Sequence, residues 1–281
     1  MSTIVATNIE DLDTGDIVSV SNLITINDQR PNYGLVPSNN SGDVTNDIDF
    51  TAGKCWDTTG TNYITVAAMT KQADAPWAAG TNAGMMDTGT FTADSCYYFW
   101  AIYKDSDGTG DIIMSLADTW AGVNKTLITG YTTGQLIHAL TSIMSLASWQ
   151  TVDIVGNYVH YGVNSNEIIS TSMTSGVAST FTINMPKMTE CEATVNLQVS
   201  VGASTMSVAI MPTSRSGAGN DRFGAYVALT VLNLGNIAAS QSVIVDENSQ
   251  ISAGAAWNNG GLETLRVYFY SYNFHRRFAG T

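Results

Sequence analysis

Charge is the first thing this chain is short of. Of its 281 residues only 12% are Asp, Glu, Lys or Arg, roughly half the usual share. Positive charge is scarcest: 11 Lys plus Arg stand against 24 acidic residues, a net charge of −13. Such a chain repels phosphate backbones and anionic lipid, which excludes nucleic-acid binding and docking on a membrane surface. Three cysteines, Cys55, Cys96 and Cys191, form no Cys-x-x-Cys pair. Their odd number excludes a complete disulfide framework. They read as small buried hydrophobes, with a Cys55–Cys96 bridge left open. Three histidines, His138, His160 and His275, lie at no metal-ligand spacing from one another or from a cysteine. No apolar run approaches the ~20 residues that cross a bilayer, which predicts no membrane insertion. The first residues carry neither a basic segment nor a long apolar core, so synthesis without the usual export leader is expected. Proline is rare, with five residues. There is no heptad repeat and no collagen-like period, so no fibrous shaft is encoded.

What remains is β vocabulary. Hydrophobic residues make up 44% of the chain, enough for a sizeable core. Runs rich in aromatic and β-branched residues, such as 63–68, 96–103 and 112–116, are separated by Gly, Asp, Asn and Thr clusters. That pattern writes successive hairpins. Residues 1–35 read as an N-terminal arm with strands at 4–9 and 17–26 around the turn Asp13–Asp16. The polar stretch from Pro37 to Asp43 marks a loop. A first module is expected over 36–158 and a second over 159–281. The second has candidate strands at 180–185, 192–201, 205–211, 225–232, 242–246, 250–255 and 264–274. This spacing predicts an all-β fold of antiparallel β-sandwich, jelly-roll-like modules. One segment is ambiguous: Leu136, Ile137, Leu140, Ile143, Met144 and Ala147 fall at helical spacing, so 133–147 leans to a short helix packed on the sheets, with another strand left open as the alternative.

Few residues suggest chemistry. Asp105, Asp107 and Asp111 alternate on a Gly-bearing loop that resembles a weak Ca²⁺ site. A hairpin turn accounts for them more simply. Asp57 beside Trp56 and Asp118 near Trp120 are the carboxylates that a glycan hydrolase would need in an aromatic pocket. No Gly-x-Ser-x-Gly elbow is present. No catalytic residue is assigned, and no cofactor is expected.

The aromatic rows point elsewhere. Tyr97, Tyr98, Phe99, Trp100 and Tyr103 crowd one strand, too many for a single core. Strict alternation over 264–274 places Arg266, Tyr268, Tyr270 and Tyr272 on one face. Tyr97, Tyr98, Trp100, Tyr103, Arg266, Tyr268, Tyr270 and Tyr272 are therefore candidates for a subunit interface or for stacking on a glycan. Packing within the chain is the plainer alternative. Arg276 and Arg277 add a small basic end.

The order Gly53, Cys55, Asp57, a strand, Lys71, then Trp77, Gly80, Gly84, Asp87-Thr88-Gly89, Tyr97, Lys104 and Asp111 resembles a segment recurrent in virion proteins of tailed bacteriophages. The match covers about 49–122. The resemblance implies a non-enzymatic structural protein of the particle. It is expected to be exposed on the virion surface and bound to itself and to other virion proteins, with a host cell-surface glycan as a further candidate partner. A short trimeric tail fibre with a host-facing C-terminal module is the first expectation. A capsid decoration protein comes second, then a carbohydrate-binding module, and a glycan hydrolase last.

Overall fold

Alternation sets the outer strands, and its absence marks the inner ones. In β5 (Gly53–Trp56) and β6 (Tyr63–Val66), Gly53, Cys55, Ile64 and Val66 point inward while Lys54, Tyr63 and Thr65 face out. β10 (Gly110–Ser115) is buried at every position, and β9 (Cys96–Lys104) at all but its ends. Strands of that kind are covered on both faces. The computed structural model describes residues 8–10, 17–19, 33–142, 147–155, 158–161, 167–173, 177–182, 186, 191–201, 205–212, 229–232, 235–245, 250–257 and 263–273. Among them there is no helix, and the fold is all-β.

The first large sheet has seven strands. It joins β3 (Pro37–Asn39), β4 (Asp47–Phe50), β7 (Met69–Pro76), β8 (Ala83–Met86), β9, β10 and β11 (Tyr131–Thr141) in the order β11-β9-β10-β8-β7-β4-β3. It is mixed, because β8 runs parallel to both β7 and β10. This departs from the purely antiparallel expectation, and the order does not reproduce a jelly roll. The sheet curls until Phe50 on β4 meets Phe99 on β9 edge to face, at 5.3 Å. The β5–β6 hairpin closes over it, so that Cys55, Ile64 and Val66 join the core. Cys55 and Cys96 are not joined to each other.

Of the two readings of 133–147, β11 takes the strand through Thr141, and 143–146 lie outside the described residues. Helical spacing there is a by-product of two register shifts against β9, at Tyr131/Thr133 and Leu136/His138. Each bulge inserts a residue and breaks the period of two. Gly134, poor in a helix, lies under Trp120, where a Cβ would come within 2.6 Å of the indole ring.

A second group of strands follows. β12 (Val152–Val155), β13 (Tyr158–Tyr161), β21 (Glu263–Asn273), β16 (Cys191–Val201) and β19 (Gly235–Val245) form a sheet in that order, with β14 (Glu167–Met173) also paired to β21. β15 (Val177–Thr182), β20 (Gln250–Trp257), β17 (Thr205–Pro212) and β18 (Leu229–Leu232) form another. The division expected at 158/159 falls inside β13, and the change of sheet comes between β11 and β12. The expected arm contains a small hairpin of β1 (Asn8–Glu10) and β2 (Ile17–Ser19). Its end belongs to the first module: Tyr33 bridges to Lys54, and Leu35 is fully buried in the core.

Candidate functional site

The row on β9 is buried by the chain itself. Tyr97 and Phe99 pack on Trp149, at 5.8 and 5.7 Å, and Phe91 lies against both Tyr97 and Trp149. On the opposite face Trp100 meets Trp120 at 5.8 Å and donates through Nε1 to the carbonyl of Ala117. Tyr97, Tyr98 and Trp100 are buried, and Tyr103 is half-buried. Two cores rather than one cover the strand, so burying these rings requires no second subunit.

The tyrosines of β21 are divided by a bulge. β16 aligns Thr194 with Ser271 but Val195 with Phe269, which leaves position 270 as an extra residue. The parity of the strand flips there. Positions 268 and 272 therefore fall on opposite faces, not on one as strict alternation predicts. Tyr272 is buried and donates its hydroxyl to the carbonyl of Ala139 on β11. Tyr161 lies beside it, with ring centroids 6.0 Å apart, and accepts from the amide and hydroxyl of Thr141 at 3.0 and 2.9 Å. Burial pushes the Tyr161 hydroxyl up to about 12, against the hydrogen bonds from Thr141. This pair is the seam between the two groups of strands. The side chains of Arg266, Tyr268 and Tyr270 lie outside the described residues, as do Arg276 and Arg277.

The acidic loop does not converge on a cation. Asp105 accepts from the Thr132 hydroxyl, and Asp107 from Lys104 and the amide of Thr109. Asp111 turns inward to Lys71, at 3.0 Å, with both side chains excluded from solvent. Among the described residues no group of His, Cys, Asp and Glu is arranged to hold a metal. Residues 105–109 connect β9 to β10, and Asp111 belongs to something else.

That something is a buried polar knot. Lys71 on β7 donates to Asp111 on β10 and to the carbonyls of Ala78 and Gly80, at 2.7 and 3.1 Å. Its ammonium has three donors, and all are used. Asp111 also accepts from the Gly80 amide at 2.7 Å. Trp77 lies 5.4 Å below the ammonium and donates through Nε1 to the carbonyl of Ile112. Burial lowers the Lys71 pKa from 10.5, and Asp111 opposes that shift without cancelling it. Two further motif carboxylates work in the same way. Asp57 accepts from Thr59, Thr61 and Asn62 around one turn. Burial alone would raise its pKa, but those hydrogen bonds outweigh it and hold the carboxyl below 3.8. Asp87 accepts from the Ser115 hydroxyl and the Asn124 amide.

The exposed aromatics are ones the sequence reading passed over. Tyr33 and Tyr63 face solvent from the β5–β6 side, 76% and 45% exposed. Trp56 lies 5.0 Å from Tyr63, and Lys54 caps that ring. Tyr158 stacks on His160 near the tip of the β12–β13 hairpin. A period-of-two reading of 53–56 against 63–66 finds Lys54, Trp56 and Tyr63 on the outer face.

No protein-family model matches the sequence, and no curated protein matches it. Among solved structures, a chain of the T13 IBDV viral particle is similar over 86% of this chain and 67% of that one, at 9% identity and a TM-score of 0.20. A likeness of that size transfers neither a fold nor a role.

Proposed function

We propose that this chain is a non-enzymatic structural protein of a tailed-phage particle, assembled as a homo-oligomer on the virion surface. One observation supports the reading most directly. The polar residues that carry the resemblance are spent on holding strands together. Lys71 and Asp111 tie β7, the 77–82 loop and β10, Asp57 closes a turn, and Asp87 joins the end of β10 to the loop at Asn124. Asp57 is a poor general acid, since that role needs a carboxyl pKa pushed up rather than down. A segment used in this way is a building block, and its recurrence in particle proteins follows from its architecture.

Within that class the first form is a short trimeric fibre whose C-terminal strands face the host. The second is a capsid decoration protein, which the lack of any shaft favours. Immunogold labelling of purified particles separates them, with gold on tails for a fibre and on heads for decoration. Deleting residues 1–32, short of the Tyr33–Leu35 segment built into the core, is expected to abolish attachment while preserving the β-sheet circular dichroism. Absence of the chain from particles that are complete by mass spectrometry would sink the reading.

A further inference from the structure

We propose that β19 is an inter-chain edge, adding to a sheet of a second copy of this chain. The inference rests on the homo-oligomeric part of the function proposed above.

An open sheet edge is a template for another strand, and proteins defend it by shortness, charge, proline, bulges or a cover. Most other edges of the large sheets show these devices: β14 carries Glu167 and a register shift, while β15, with neither charge nor proline, differs from β19 only in being shorter. β3 is three residues long and begins at Pro37. β12 has four residues and carries Asp153. β15 and β18 have six and four residues. β11 has eleven, but its outer side is covered from within. Trp120 Nε1 donates to the Thr132 carbonyl, the Thr58 amide to Gly134 and the Tyr272 hydroxyl to Ala139.

Among the described residues β19 shows none of them. It runs for eleven residues, GNIAASQSVIV, with no charge and no proline. All eleven pair with β16 without a register shift, so no bulge twists it away. Among the described residues it has no ladder on its other side. At ~3.3 Å per residue the edge is roughly 36 Å long.

The chemistry of the strand selects the occupant. Two copies of a chain carrying −13 repel wherever their charges meet. The sequence between Arg222 and Asp246 is neutral throughout, so copies approach there without that cost. Pairing β19 with itself is antiparallel and gives a two-fold. A closed trimer instead brings β19 to a different edge of the next copy.

The experiment uses the full chain with Ser240→Pro and Gln241→Pro. Successive amides of a strand point alternately toward and away from its partner. One proline therefore removes an amide used with β16, and the other an amide that faces outward. The expected result is an oligomer for the parent by light scattering. The outward-facing variant keeps the parent's circular dichroism and melting temperature but runs as a monomer. Hydrogen exchange is read on the parent in parallel, where the outward β19 amides should be slowed at least tenfold in the oligomer relative to dilute monomer. A monomeric parent overturns both the edge and the homo-oligomer. An oligomeric parent with fast outward amides, or with a folded proline variant that stays assembled, overturns the edge alone.

Discussion

Lys71 shows what a single residue contributes to this fold. Its ammonium is buried with three acceptors, and burial still wins over Asp111 in setting its pKa. Removing one partner of such a pair leaves a buried charge uncompensated. Lys71→Met is expected to cost ~3–5 kcal/mol in denaturant unfolding. Adding Asp111→Leu should recover part of that, but not all, because the Gly80 amide and the Ala78 carbonyl lose their partners as well. The pH dependence has a definite sign. The folded pKa lies below 10.5, so between the two values the unfolded chain holds a proton that the folded chain has shed. Stability from this group therefore rises with pH across that window. Denaturant midpoints measured from pH 8 to 10 should climb less in the double variant than in the parent. Asp57 behaves in the same sense, in an acid window. Its folded pKa is depressed, so its contribution is complete above 3.8 and is lost as pH falls through the lower folded value. Asp57→Ala should cost ~1–2 kcal/mol at neutral pH and flatten the acid limb of the stability curve.

At the scale of elements, close approach and bulges matter more than propensity. β8 lies against β7 because Gly84 has no side chain. A Cβ there would sit 2.0 Å from the Pro76 carbonyl. Gly84→Ala is expected to cost ~1–3 kcal/mol or more, seen as a lower melting temperature. The Tyr161–Tyr272 seam titrates. Tyr161 keeps its proton to about 12 when folded but loses it near 10 when unfolded, so its contribution falls as pH rises from 10. Tyr161→Phe should remove that part of the alkaline loss. Most strands of both groups were legible, with edges a few residues out. Residues 242–245 of the candidate 242–246 belong to an eleven-residue strand, β19, and residues 229–232 of the candidate 225–232 form β18, the remainder of both lying outside the described residues. β11 and the division of β21 were not legible. In both, a bulge inserts a residue that no local pattern records, and periodicity read across it assigns the wrong element or the wrong face.

For the whole molecule, the need for a neighbour moves from rings to an edge. Tyr97, Tyr98 and Trp100 looked like a surface waiting for a partner, because one strand cannot bury five aromatics in one core. The curled sheet supplies two cores, and the rings are satisfied within the chain. Among the described residues, the outer side of β19 has no strand paired to it. A fibre made from this chain should therefore resist dissociation through main-chain hydrogen bonds, with little salt dependence. Light scattering from 0.05 to 1 M NaCl should show the same oligomer; an oligomer that falls apart in salt would point to charged contacts instead. Composition and periodicity alone determined that the chain is all-β and acidic, because these follow from residue type and local order. Only the tertiary structure decided that Asp111 faces Lys71, that Tyr272 meets Ala139, and that β19 pairs along its whole length with β16. Each depends on which distant strands lie side by side, and no local pattern along the chain records that.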